Sequence, residues 1–239
     1  MRPVVASGAT PESTRRWAPR VRMARRWVPV LGLAGALLCG GVSQTFLWRS
    51  SPDLAAVTGS QFTWVLLIFV ISWAWARGRL PAAATAGALT GLALVLSYYA
   101  LQWAADGAHS AVAQFTKARG LAWTLSAVIG GAAVGLCGGL TGRATGTRAR
   151  AFGIMTPALV VGLGPLAWGV LGGPYLAVSR RLPVLACFVL AATALIVVAV
   201  RACGWRACLG AGATALAAGA VALGGLWFLE THGALYLTF

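Results

Sequence analysis

The chain has 239 residues, of which 59% are hydrophobic and only 10% charged, with a formal net charge of +15. Soluble domains carry roughly a quarter charged residues, so a composition this apolar excludes an ordinary water-soluble globular domain. The arginine surplus does not indicate nucleic acid either. The basic residues sit between apolar runs and in the first 26 positions, where the anionic head groups of a lipid bilayer are the fitting partner.

Residues 1–26 hold seven arginines among prolines and small polar residues, without apolar periodicity. They read as a basic tail, disordered or lying along the head groups. Residues 27–239 read as a single transmembrane helical domain. A hydrocarbon core about 30 Å thick takes roughly 20 apolar residues of helix, which predicts spans at about 28–47, 57–76, 81–103, 121–142, 151–172, 182–201 and 206–229. Barrel strands would alternate apolar and polar residues, whereas the stretch from Leu182 to Val200 is apolar on every face. The expected fold class is therefore all-α, a polytopic transmembrane helical bundle of seven spans. It has six spans if the first is a cleaved signal. Against cleavage stand the length of that stretch, the lack of an A-x-A site behind it, and Leu37-Leu38 ahead of Cys39, where a lipoprotein signal wants a small residue.

Basic residues are retained on the cytoplasmic side of a membrane. Arg2, Arg15, Arg16, Arg20, Arg22, Arg25, Arg26, Arg77, Arg79, Arg143, Arg148, Arg150, Arg201 and Arg206 fall on one side of the predicted spans. Arg49, Lys117, Arg119, Arg180 and Arg181 fall on the other. This places the N-terminus inside and the C-terminus outside a bacterial cell membrane; the heavy use of Ala, Gly, Arg and Val points to a GC-rich source. Tryptophan prefers the two interfaces, and it agrees: Trp27, Trp73, Trp75 and Trp205 mark inner ends, and Trp48, Trp64, Trp103, Trp123, Trp168 and Trp227 mark outer ones.

Glycines punctuate the third and fourth spans as Gly87-x-x-x-Gly91 and as Gly131, Gly135 and Gly139. Such stripes let helix backbones approach closely, and packing within the monomer is their expected use. The fifth span is irregular, with Pro157, Pro165 and repeated glycines. Transporters use broken helices to offer backbone groups to substrate, but no second broken helix matches this one. Cys39, Cys137, Cys187, Cys203 and Cys208 lie in or at the ends of spans and read as small packing residues.

No acid, histidine, lysine or arginine falls in the interior of a predicted span. The acids are Glu12, Asp53, Asp106 and Glu230, and the histidines are His109 and His232. Ion-coupled carriage and intramembrane proteolysis both need buried ionisable groups, so neither is expected, nor is an enzyme. Asp106-x-x-His109 and Glu230-x-His232 share the outer side, but loop ligands so loosely spaced are better read as polar residues in wet loops. No metal and no cofactor are expected.

The outer half also gathers amides and aromatics. Gln44, Trp64, Tyr98, Tyr99, Gln102 and Trp168 are the candidate ligand-binding residues, able to line a cavity with amide donors and aromatic walls for a small organic solute. The plainer reading is an aromatic belt with amides at helix ends. Tyr98 and Gln102 stand four residues apart on one helix face, and Tyr99 and Trp103 on another.

The stretch FTWVLLIFVISWAWARGRLPAAATAGALTGLALVLSYYA has a Trp64-led span, an Arg77-Gly78-Arg79 turn and a glycine-rich span ending in Tyr98-Tyr99, with a glycine-zipper span closing on basic residues after it. Over about residues 40–230 this pattern resembles an uncharacterised family of small multi-pass bacterial membrane proteins known only as a domain of unknown function. The resemblance implies a helical membrane fold and brings no activity or site residues. Two functions are expected to compete: non-enzymatic binding or transport of a small solute, and a structural or assembly subunit packing against other membrane proteins through its glycine-rich faces.

Overall fold

A computed structural model of the chain describes residues 27–28, 30–47, 57–58, 60–76, 79–106, 118–142, 146–171 and 178–231. The 1–26 tail lies outside the described residues. Among these residues the protein is all-helical, with no strand. Seven helices follow one another. The first, α1, is α-helical over 30–36 and π-helical over Leu37–Leu47. The others are α2 (Gln61–Ala76), α3 (Leu80–Asp106), α4 (Ala118–Gly142), α5 (Thr147–Leu171), α6 (Val178–Cys203) and α7 (Trp205–Thr231).

Each helix falls on an apolar run that predicts it, with ends displaced by a few residues. Among the described residues three stretches are long and apolar enough to cross a membrane: Leu80–Ala104, Gly120–Thr141 and Leu182–Cys203. Val30–Val42 and Gln61–Ala76 are apolar and shorter. Outward faces are apolar too. Leu31, Leu125, Ile129, Leu190, Leu209 and Val221 are each more than half exposed, a surface that suits lipid and not water.

Local chemistry explains the helix ends. Ser60 caps α2, its hydroxyl oxygen accepting the Phe62 N–H at 3.2 Å and its carbonyl the Trp64 N–H at 3.1 Å. Between α2 and α3 the Arg79 N–H bonds the Ala76 carbonyl, and the Arg79 carbonyl takes the Ala83 N–H. A single residue therefore ends one helix and starts the next. Gly204 joins α6 to α7 at a φ of 81°, the left-handed region that glycine enters without steric penalty.

Two groups of helices result. In the first, α1 packs on α3, α2 on α3 and α4, and α3 along α4 in the most extensive pairing of the fold. Ala36, Trp64, Ile68, Leu94 and Val95 form the core there. In the second, α5, α6 and α7 enclose Ala151, Ile154, Met155, Ala199, Cys208 and Ala211. Helix α5 belongs to both, touching α2 and α4 on one side and α6 and α7 on the other.

Glycine sets the α3–α4 distance. A Cβ added to Gly87 would strike the Gly131 carbonyl oxygen and come within 2.8 Å of Gly135 Cα. One added to Gly91 would strike the Ala127 carbonyl, and one on Gly139 would lie 2.8 Å from Ala83 Cβ. The glycine hydrogens thus face carbonyls of the other helix, the geometry of Cα–H···O contacts. The same device seats α1 on α3: a Cβ on Gly41 would lie 2.9 Å from the Ser97 carbonyl oxygen.

Helix α5 runs unbroken through Pro157 and Pro165. Its glycines receive neighbours: a Cβ on Gly162 would lie 2.9 Å from Ala192 Cβ of α6, and one on Gly164 would press into the Phe62 ring of α2. Phe62 in turn meets Phe188 of α6 edge-on, centroids 5.7 Å apart. The irregular composition of this segment serves packing on several sides at once.

Seven threonine hydroxyls are satisfied within their own helices. The side chains of Thr85, Thr90, Thr124, Thr141, Thr156, Thr193 and Thr214 each donate to the carbonyl four residues earlier. Such a threonine needs no hydrogen-bond partner from another helix.

Candidate functional site

The candidate residues belong to the end of the bundle remote from the α2–α3 connection: the start of α2, the close of α3 and the start of α4. The cap at Ser60 fixes Trp64 in the first turn of α2, 8% exposed. Its indole N–H donates to the Cys39 carbonyl of α1 at 3.4 Å. Its ring meets Trp123 of α4 edge-on, with centroids 5.8 Å apart and planes at 73°.

Trp123 continues the chain of rings. It lies 6.3 Å from Tyr98, which meets Tyr99 edge-on at 5.2 Å. Aromatic quadrupoles favour edge-to-face pairs at these separations, each worth about 0.5–1.5 kcal/mol beyond area burial. Tyr99 also packs against the Ala36–Trp64–Leu94 core. Gln102 follows Tyr98 by one turn of α3 and is half-buried.

Sequence reasoning thus names three residues that come together, Trp64, Tyr98 and Tyr99, with Gln102 one turn away. The side chains of Gln44 and Trp168 lie outside the described residues. Trp123 links the others and is absent from the sequence-based set. Its only signal is membership of the outer tryptophan belt, and no local spacing ties it to Trp64 or Tyr98, which belong to other helices.

Below the rings, Ser97 ties α3 to α1. It is 5% exposed, and its hydroxyl lies 2.9 Å from the Ala36 carbonyl and 2.8 Å from that of Leu94. Two side-chain donors from different helices, Ser97 and Trp64, therefore end on carbonyls of α1 within one turn of each other, where its α-helical part becomes π-helical. The polar links that hold the aromatic end together converge on that turn.

The arrangement brings ring faces, ring edges and two phenol groups together at one end of α2, α3 and α4. Among the described residues no three His, Cys, Asp or Glu side chains gather as a metal site. Asp53, His109 and His232 lie outside the described residues, as do the side chains of Asp106 and Glu230. All five cysteines are free thiols, Cys137 and Cys208 buried and Cys187 exposed.

A separate apolar groove opens toward the other end of the molecule, between α1, α2 and α3, with a volume of about 200 Å³. None of the candidate residues lines it. No protein family, no curated protein and no solved structure matches the chain.

Proposed function

We propose that the chain is a seven-span helical protein of the bacterial cell membrane, N-terminus inside and C-terminus outside, that binds or helps move a small organic solute without enzymatic chemistry. The observation that carries this reading is the linked ring cluster Trp64–Trp123–Tyr98–Tyr99 at one end of α2, α3 and α4. Trp64 is core, so it supports the cluster. Tyr98 and Trp123, less buried, are the faces a ligand meets.

A metabolite screen read by the melting temperature of the purified full-length protein tests the reading. A ligand at 100 times its Kd adds about 2.7 kcal/mol of stability. At least one metabolite is expected to raise the melting temperature of the wild type and not that of Tyr98→Ala or Trp123→Ala. A broad screen with no such compound removes the support. Reporter fusions at positions 55, 79, 110 and 146 test the topology: 79 and 146 are expected inside, and a cytoplasmic 110 overturns the orientation.

A second reading, an assembly subunit, rests on α7. A Cβ added at Gly210 or Gly219 would meet nothing within 4 Å, so these glycines are open to a partner helix. Affinity purification in mild detergent then recovers a stoichiometric membrane partner; a clean monomer counts against it.

A further inference from the structure

The groove between α1, α2 and α3 differs from the aromatic end in chemistry and position. Gly32, Ile71, Trp75, Ala86, Leu89 and Ala93 wall it. Its one polar wall residue, Thr90, has its hydroxyl committed to the Ala86 carbonyl at 2.8 Å. The wall therefore presents carbon almost throughout, and a polar solute gains nothing there. Gly32 lets α1 lie close against α2 at the groove wall, where an added Cβ would lie 3.0 Å from Ile71 Cδ1.

Charge identifies what belongs at the mouth. Trp75 is the penultimate residue of α2, and Arg79, exposed, stands immediately before α3. Arg25 and Arg26 precede α1, and Arg77 lies in the same short α2–α3 connection as Arg79. An apolar slot walled by Trp75, with the exposed Arg79 four residues on and no acid near it in sequence, matches a molecule with an apolar tail and an anionic head.

We propose that this groove holds one acyl chain of an anionic phospholipid, with the phosphate of its head group at Arg79. The proposal rests on the membrane reading above and is independent of the solute site. Trp75 packs along the upper methylenes, and Leu89 and Ala93 lie along the inner part of the chain. The lipid fills the space left between α1, α2 and α3.

The test uses the full chain reconstituted in phosphatidylcholine vesicles with a small fraction of phosphatidylglycerol carrying a photoactivatable acyl chain. Light should attach the probe to peptides containing Ile71 and Trp75 and to those containing Leu89 and Ala93. A phosphatidylcholine probe with the same acyl chain should label them less. Ala93→Phe, which fills the groove, should abolish labelling of these peptides while leaving that of α6 unchanged. Arg79→Gln should lower the preference for phosphatidylglycerol about fivefold, the factor that corresponds to about 1 kcal/mol per surface arginine. If Ala93→Phe does not fold, Leu89→Trp, at a 57% exposed position on the groove's rim, makes the same test. Equal labelling by the two lipids, spread over all helices and indifferent to both variants, overturns the proposal. A chain that fails to float with vesicles overturns the membrane reading itself, and the groove proposal with it.

Discussion

Gly130 and Gly131 are neighbours on α4 with opposite surroundings. A methyl on Gly131 would lie 3.1 Å from the Gly87 carbonyl carbon and 3.5 Å from Ala88 Cα, while one on Gly130 would meet nothing within 4 Å. Carbon atoms pack at about 3.5–4.0 Å, so Gly131→Ala drives α3 and α4 apart by about 0.5–1 Å. Overpacking of this kind costs about 1–3 kcal/mol. Replacing a helical glycine by alanine also returns up to about 1 kcal/mol of backbone entropy, and that gain applies equally at both positions. Gly130→Ala should therefore be neutral or stabilising, and Gly131→Ala should fall below it by about 1–3 kcal/mol, the value of the lost contact. Thermal unfolding of the two variants side by side in one mild detergent measures the difference. For a chain of this size each kcal/mol is about 2–4 °C. If Gly131→Ala melts at or above Gly130→Ala, the close approach of α3 and α4 at Gly87 and Gly131 is refuted.

Three further substitutions probe single polar groups by the same assay. Trp64→Phe keeps the ring contact with Trp123 but removes the indole donor from the Cys39 carbonyl, and should cost about 0.5–1.5 kcal/mol; no loss would show that this bond does not hold α1. Ser97→Ala deletes the donor to the Ala36 carbonyl and should lower stability by about 0.6–1.5 kcal/mol, with a stabilised variant contradicting the link between α1 and α3. Ser72 points the other way. It is 0% exposed, and its hydroxyl has no hydrogen-bond partner among the described residues, so Ser72→Ala should leave stability unchanged or raise it by about 1 kcal/mol. A marked loss would mean that the hydroxyl has a partner in the folded protein.

Helix positions are legible in this sequence because span length and apolarity are local properties. Leu182 to Val200 announces α6 whatever surrounds it. The glycines of α3 and α4 are legible for a related reason: their four-residue spacing puts them on one helix face, and only a backbone comes close to such a face. Other features depend on which helix becomes which neighbour. Trp123 joins Trp64 and Tyr98 only after α4 has packed between α2 and α3. The π-helical geometry of Leu37–Leu47 has no counterpart in the residue pattern, which reads as ordinary apolar helix. In α5 the prolines and glycines suggest a break, yet the helix is continuous and the small residues admit Phe62 and Ala192. Composition shows that a backbone is approachable; it does not show by what.

The shared position of α5 bears on how the protein is made. Contacts among α1, α2, α3 and α4 are complete within the first 142 residues, so this group can assemble while the ribosome is still translating α5. Helices α6 and α7 pack chiefly on α5 and, less extensively, on each other. A nascent chain stalled after Gly142 would leave a self-contained fragment, whereas the 147–231 portion made separately would need only the exposed side of α5 to find it. The connection at Gly146, with a φ of 118° and open space around it, is the natural point at which to divide the gene and ask whether the two halves rejoin.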